Sequence, residues 1–137
     1  MKENLNCILQ NIPEGESSDN LKNIFKMFLD ENFLLNHNRI SLLEFLEELS
    51  DKQWHSYNLL DPDLFSELEH WLGNNYSIND SNEVELVLNI CVRLGFNNLY
   101  LKIISNNEYY NPKTKIIIQE IIDECGYDIS DPFESLR

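Results

Sequence analysis

Glu67 and His70 lie three residues apart in LFSELEHWLG, so a carboxylate and an imidazole share one face wherever this stretch is helical. Di-iron bundle proteins bind metal with such Glu-x-x-His steps. They need a second copy and two more inward-facing glutamates, and this chain has no second copy. Its four glycines, Gly15, Gly73, Gly95 and Gly126, are scattered, whereas a phosphate cradle needs several close together so that successive N–H groups reach the anion. No Gly-x-Ser-x-Gly elbow, Cys-x-x-Cys pair or His-Glu-x-x-His run occurs. Cys7, Cys91 and Cys125 are odd in number and far apart, and read as buried free thiols of a reducing compartment ahead of disulfides, metal ligands or nucleophiles. His37 and His55 sit in polar, turn-like contexts and read as solvated. Carboxylate pairs abound, but acid–base catalysis needs two whose surroundings split their pKa values, which residue type alone does not supply. The chain is therefore expected to be no enzyme and to hold neither metal nor cofactor.

What the acidic residues offer instead is charge. The 137 residues carry 24 acids against 10 bases, a net charge of −14. The imbalance is local: residues 53–92 hold seven acids and no base, residues 116–136 six acids and no base, whereas residues 93–115 carry a net +3. Residues 1–52 hold ten acids and five bases. In the first block Asp63, Glu67 and His70 stack at i, i+4 and i+7. Like charges so placed cost a few tenths of a kcal/mol each, so a chain shaped for stability alone would mix the signs. The block reads as a docking face for a basic protein: Asp61, Asp63, Glu67, Glu69 and His70, continued by Asp80, Glu83 and Glu85, with Tyr109 and Tyr110 of NNEYYNP as aromatic anchors. The alternative is an acidic surface that serves solubility only. Nucleic acid and anionic lipid would be repelled, so direct binding to either is not expected.

The elements that must position these residues are legible from periodicity. Behind the Ser/Asp start of SSDNLKNIFKMFLDENFLL, Leu21, Ile24, Phe25, Phe28 and Leu29 predict a helix over about 19–34, and Leu42, Leu43, Phe45, Leu46 and Leu49 another over about 40–50. DKQWHSYNLL reads as a separate short piece. Asp61 and Pro62 start a helix with Leu64, Phe65, Leu68, Trp71 and Leu72 on one face, and Gly73 is expected to take the left-handed turn past its end. Asp80 with Glu83 opens a central helix that Gly95 closes, FNNLYLKIIS makes a short one, and Asn111–Pro112 begins KTKIIIQEIIDEC, closed by Gly126. Ile117, Ile118, Ile121, Ile122 and Cys125 fall at helical spacing, which decides that last element against a strand. The expected fold is all-α, one domain over residues 1–137 with about six to seven helices, as stacked helical hairpins or an irregular bundle. The N-terminal segment, broken by Pro13 and Gly15, is left without an element. No secretion signal or span of about 18 apolar residues is apparent, and a cytoplasmic location is expected.

Small size, strong acidity and this helical layout resemble the immunity proteins encoded beside bacterial toxins, including those of contact-dependent inhibition and other polymorphic toxin systems. The resemblance rests on the whole chain, and no motif carries it. It implies a non-enzymatic protein that binds one cognate basic toxin domain, often a nuclease, and covers its active site or nucleic-acid surface. The tail DISDPFESLR would join the acidic helices in that contact. Other readings are a hairpin scaffold that holds a peptide or helix in an apolar groove, and a phage-encoded DNA mimic.

Overall fold

In the computed structural model, which describes residues 5–13 and 16–134, the side-chain oxygens of Ser17, Asp30, Asn38, Asp61, Asp80 and Asn111 each accept a backbone N–H of the first turn of a helix. The helices are α1 (Leu5–Gln10), α2 (Ser18–Phe28), α3 (Glu31–Leu35), α4 (Arg39–His55), α5 (Pro62–Gly73), α6 (Ser81–Leu94), α7 (Asn97–Ser105) and α8 (Pro112–Cys125), with a 3-10 turn at Asn107–Tyr109. The expected all-α class is what forms. Gly15 and the tail residues 135–137 lie outside the described residues.

Three boundaries differ from expectation. The helix expected over 19–34 is two, because Asp30 caps a new one: its carboxylate accepts Asn32 N–H at 2.9 Å. The pieces at 40–50 and 51–60 are largely one. Ser50 and Gln53, at the expected break, are buried: Ser50 donates to Glu47 O inside α4, and Gln53 donates to Asn58 O just past its end. Leu5–Gln10, in the segment expected to hold no element, is a helix that packs on α4.

The packing is two-layered. Arg39 meets Glu83, Glu47 meets Asn89 and Asp51 meets Arg93, so α4 and α6 run parallel. Ser81 bonds Thr114 at their first turns, while Val92 and Arg93 share a cleft with Glu124 and Cys125, so α8 is parallel to both. With α1 on the other flank of α4, these four form one layer. In the second layer α2 runs beside α5, joined by Lys22–Asp61 and by Phe28 edge-on to Trp71, and α5 reaches α7 through Phe65 edge-on to Phe96. Each hairpin thus gives one helix to each layer, the stacked arrangement that the sequence suggested. One apolar core runs from Ile12 to Ile129. Phe33 of α3 completes it against Phe28 and Phe45.

Past α8 the chain turns back as a strap across the ends of α4, α6 and α7. Tyr100 donates its hydroxyl to Gly126 O (2.6 Å), Asn97 accepts Ile129 N–H (3.0 Å), and Trp54 donates its indole N–H to Pro132 O (2.8 Å). Gly95 is doubly required here. Its φ is +80°, and a Cβ would stand 3.0 Å from Ser130 O. Gly73, by contrast, does not take a left-handed turn. It is the last residue of α5, and the side-chain amides of Asn74 and Asn75 take the carbonyls of His70 and Trp71 that such a turn would have satisfied. Among non-glycine residues Tyr57 has a positive φ, +58°, just past α4.

Candidate protein-docking surface

The block over 61–85 that looked single-signed in sequence is dispersed by the fold. Asp61 caps α5 and pairs with Lys22 at 3.0 Å, and the hydrogen bond from that ammonium holds its carboxyl below the usual range. Asp63 and Glu67 are exposed, but the groove they line between α2 and α5 also contains Lys22 and Lys26. Signs are mixed there after all. His70 is exposed beside Lys102, and Glu69 is half-buried with its carboxylate on the Leu99 N–H at 3.1 Å, where α7 has no cap of its own.

Two of the expected contact residues are internal. Glu83 is 1% exposed, gripped in bidentate fashion by Arg39 (2.7 and 3.0 Å) and by Ser77 N–H, so it serves the fold and is corrected from the docking set. Tyr110 is 6% exposed, and burial pushes its phenol up to about 12, whereas Tyr109 beside it is 70% exposed. The core claims Tyr110; of this pair only Tyr109 is open.

The structure joins Asp80 and Glu85 with three residues that the segment counts had hidden, Glu44, Glu47 and Glu48 of α4. These five carboxylates surround a groove of about 480 Å³ between α1, α4 and α6, whose floor is Leu5, Leu9, Ile40, Phe45 and Leu86. Among the described residues neither lysine nor arginine lines it. Two of the five bases in residues 1–52 are spent elsewhere: Arg39 on Glu83, Lys22 on Asp61. The legible signal was the i, i+3, i+4 spacing of Glu44, Glu47 and Glu48, which places all three on one helical flank. Of the five, Asp80 caps α6 and Glu47 accepts the Asn89 amide; Glu44, Glu48 and Glu85 are exposed.

A second cleft, of about 690 Å³, opens where α4, α6 and α8 end and the strap crosses them. The acidic tail lines this cleft, at the far end of α4 from Asp80, instead of extending the first groove.

The thiols and imidazoles divide differently from expectation. Cys91 is buried, Cys125 half-buried and Cys7 exposed, and burial raises the thiol pKa of the first two. His37 and His55 are half-buried, each with Nδ1 bonded to the carbonyl four residues back, Phe33 O and Asp51 O; since a carbonyl only accepts, Nδ1 carries the proton. Among the described residues no group of three or more His, Cys, Asp or Glu is arranged to hold a metal ion, and no helix is long and apolar enough to cross a membrane. No protein-family model matches the chain, and neither the curated proteins nor the solved structures give a match.

Proposed function

We propose that the chain is an inhibitor of the toxin-immunity kind, which binds a cognate basic toxin domain, a nuclease by preference, through the outer face of α4 and α6. One observation carries the reading: among the described residues, five carboxylates stand around an apolar floor with no base among them. Carboxylates held on rigid helices steer a cationic partner and speed association, while the floor supplies the apolar contact that rim charges lack. A nuclease presents a cationic cleft built for phosphates, and that cleft is complementary to this rim. Neutralisation follows from occupying it, with no chemistry required of the chain.

The test is capture of partners by the tagged protein from a lysate of its source organism, washed at low and at several-fold higher salt, followed by mass spectrometry. The expected outcome is one stoichiometric basic partner, held more strongly at low salt. Glu48→Lys with Glu85→Lys should then slow association about tenfold or more at low salt, while Asp63→Lys with Glu67→Lys, on the sign-mixed groove, should change it far less. Several unrelated partners indifferent to salt, or an unchanged rate after reversal at Glu48 and Glu85, would sink the reading.

A further inference from the structure

We propose that the cleft at the C-terminal ends of α4, α6 and α8 is a second docking site, built for an arginine- or lysine-bearing segment of a protein partner with an apolar residue beside the cation. The inference does not depend on the toxin-inhibitor reading. It stands on the electrostatics of parallel helices together with the chemistry of the cleft.

Because α4, α6 and α8 run parallel, their last carbonyls, at His55, Leu94 and Cys125, gather at one end of the layer. Each helix end carries a partial negative charge, and aligned ends add. Glu124, Asp128, Asp131 and Glu134 stand around the same opening. Its one cation among the described residues, Arg93, is 3.5 Å from Asp51, so their rim remains strongly negative. The inner wall is apolar: Trp54, Val92, Ile129 and Pro132. Trp54 has already given its indole N–H to Pro132 O and stacks on Phe133, which leaves the ring as a π surface of fixed orientation for a cation. The wall is built into the fold, since the lack of a side chain at Gly95, whose Cβ would stand 3.0 Å from Ser130 O, leaves room for the strap, and Asn97 holds Ile129.

This chemistry selects among occupants. A compact metal ion would need three or more ligands converging, and the described residues offer no such group. Phosphate-bearing partners would be repelled. A guanidinium or ammonium on an apolar stem satisfies the rim, the ring and the floor together, and about 690 Å³ accommodates one or two such side chains.

The experiment titrates the full chain, labelled with ¹⁵N, with the peptide acetyl-Arg-Leu-Arg-Leu-Arg-amide and with its Glu-for-Arg counterpart. The Trp54 indole N–H and the backbone amides of Arg93 and Ile129 should shift with the basic peptide and stay fixed with the acidic one. Glu124→Lys with Glu134→Lys, both exposed residues, should weaken binding about fivefold or more, whereas Glu48→Lys with Glu85→Lys on the other groove should change it less than about twofold. An unmoved Trp54 indole resonance in the free variant shows that the strap is still seated. Shifts confined to the α1–α4–α6 groove, no shift at all, or equal affinity for the Glu124/Glu134 variant would overturn the proposal.

Discussion

The Arg39–Glu83 pair shows how one residue can look like surface in sequence and be core in fact. Glu83 belongs to an Asp-x-x-Glu helix start and lies among acids, and its partner is 44 positions earlier, so no local pattern reveals it. Removing Arg39 leaves a buried carboxylate with only the Ser77 N–H. Arg39→Ala should cost about 2–4 kcal/mol in urea unfolding, somewhat less than breaking a fully buried pair because the Arg39 side chain is itself half exposed. Replacing both partners, Arg39→Met with Glu83→Leu, should recover most of that loss; a double variant as unstable as the single would show that the Ser77 bond, not charge burial, dominates. Tyr100 gives a pH prediction. Burial first, then nearby Cys125, Cys91 and Tyr127, push its phenol up to about 12 from 10.0. A group whose folded pKa is raised contributes fully below its unfolded pKa, so stability from Tyr100, and from Tyr110 by the same argument, is present below pH 10 and lost as pH rises toward 12. Tyr100→Phe should lower stability near neutrality by about 1–2 kcal/mol through the lost bond to Gly126 O, yet flatten the fall above pH 10. Urea midpoints at pH 8 and 11 would check both signs.

At the scale of elements, what is short-range is what the sequence discloses. The Asp61, Asp80 and Asn111 caps act two or three residues downstream and were legible for that reason. The same holds for Gly95, whereas Gly73 was misread because asparagine amides can close a helix as well as glycine can. The unity of α4 was hidden because Ser50 and Gln53 are polar residues past the leucine stripe, and only their hydrogen bonds let them be buried. The N-terminus of α7 is the clearest long-range case. Phe96 offers no side-chain cap, and Glu69 of α5 supplies one, so an acid that sequence assigns to a partner instead joins two hairpins. Glu69→Ala should therefore destabilise the protein by about 1 kcal/mol, the usual value of a lost cap, and speed amide exchange in the first turn of α7. A variant that keeps its stability but loses partner binding would return Glu69 to the docking face. Gly95→Ala tests the strap in the same way: the left-handed backbone costs about 1 kcal/mol for any side chain, and the clash with Ser130 O adds to it, so the Trp54 indole resonance should move as the strap lifts.

For the whole molecule, the stacked hairpins convert a diffuse excess of acid into two separated negative surfaces, one beside α1 and one at the helix ends, with the inner cations consumed by Asp61 and Glu83. The segment counts found the excess but not its location, because Glu44, Glu47 and Glu48 join Glu85 only through the packing of α4 on α6. Such a surface carries a cost in the free protein. Self-repulsion at −14 opposes folding, and salt screens it, so the melting temperature of the free chain should rise as sodium chloride goes from low to near-physiological concentration. The affinity for a basic partner should fall over the same interval. Opposite salt responses distinguish a docking face from a merely soluble one, since an acidic surface without a partner shows only the first. Glu48→Lys with Glu85→Lys changes the net charge from −14 to −10 and turns Glu44–Glu48 into a favourable i, i+4 pair. It should raise the low-salt melting temperature by about 1–3 °C while weakening the partner complex. Calorimetry and association kinetics on that one variant decide the matter: a protein made more stable and less able to bind has carboxylates placed for a partner, and one made more stable with its binding intact does not.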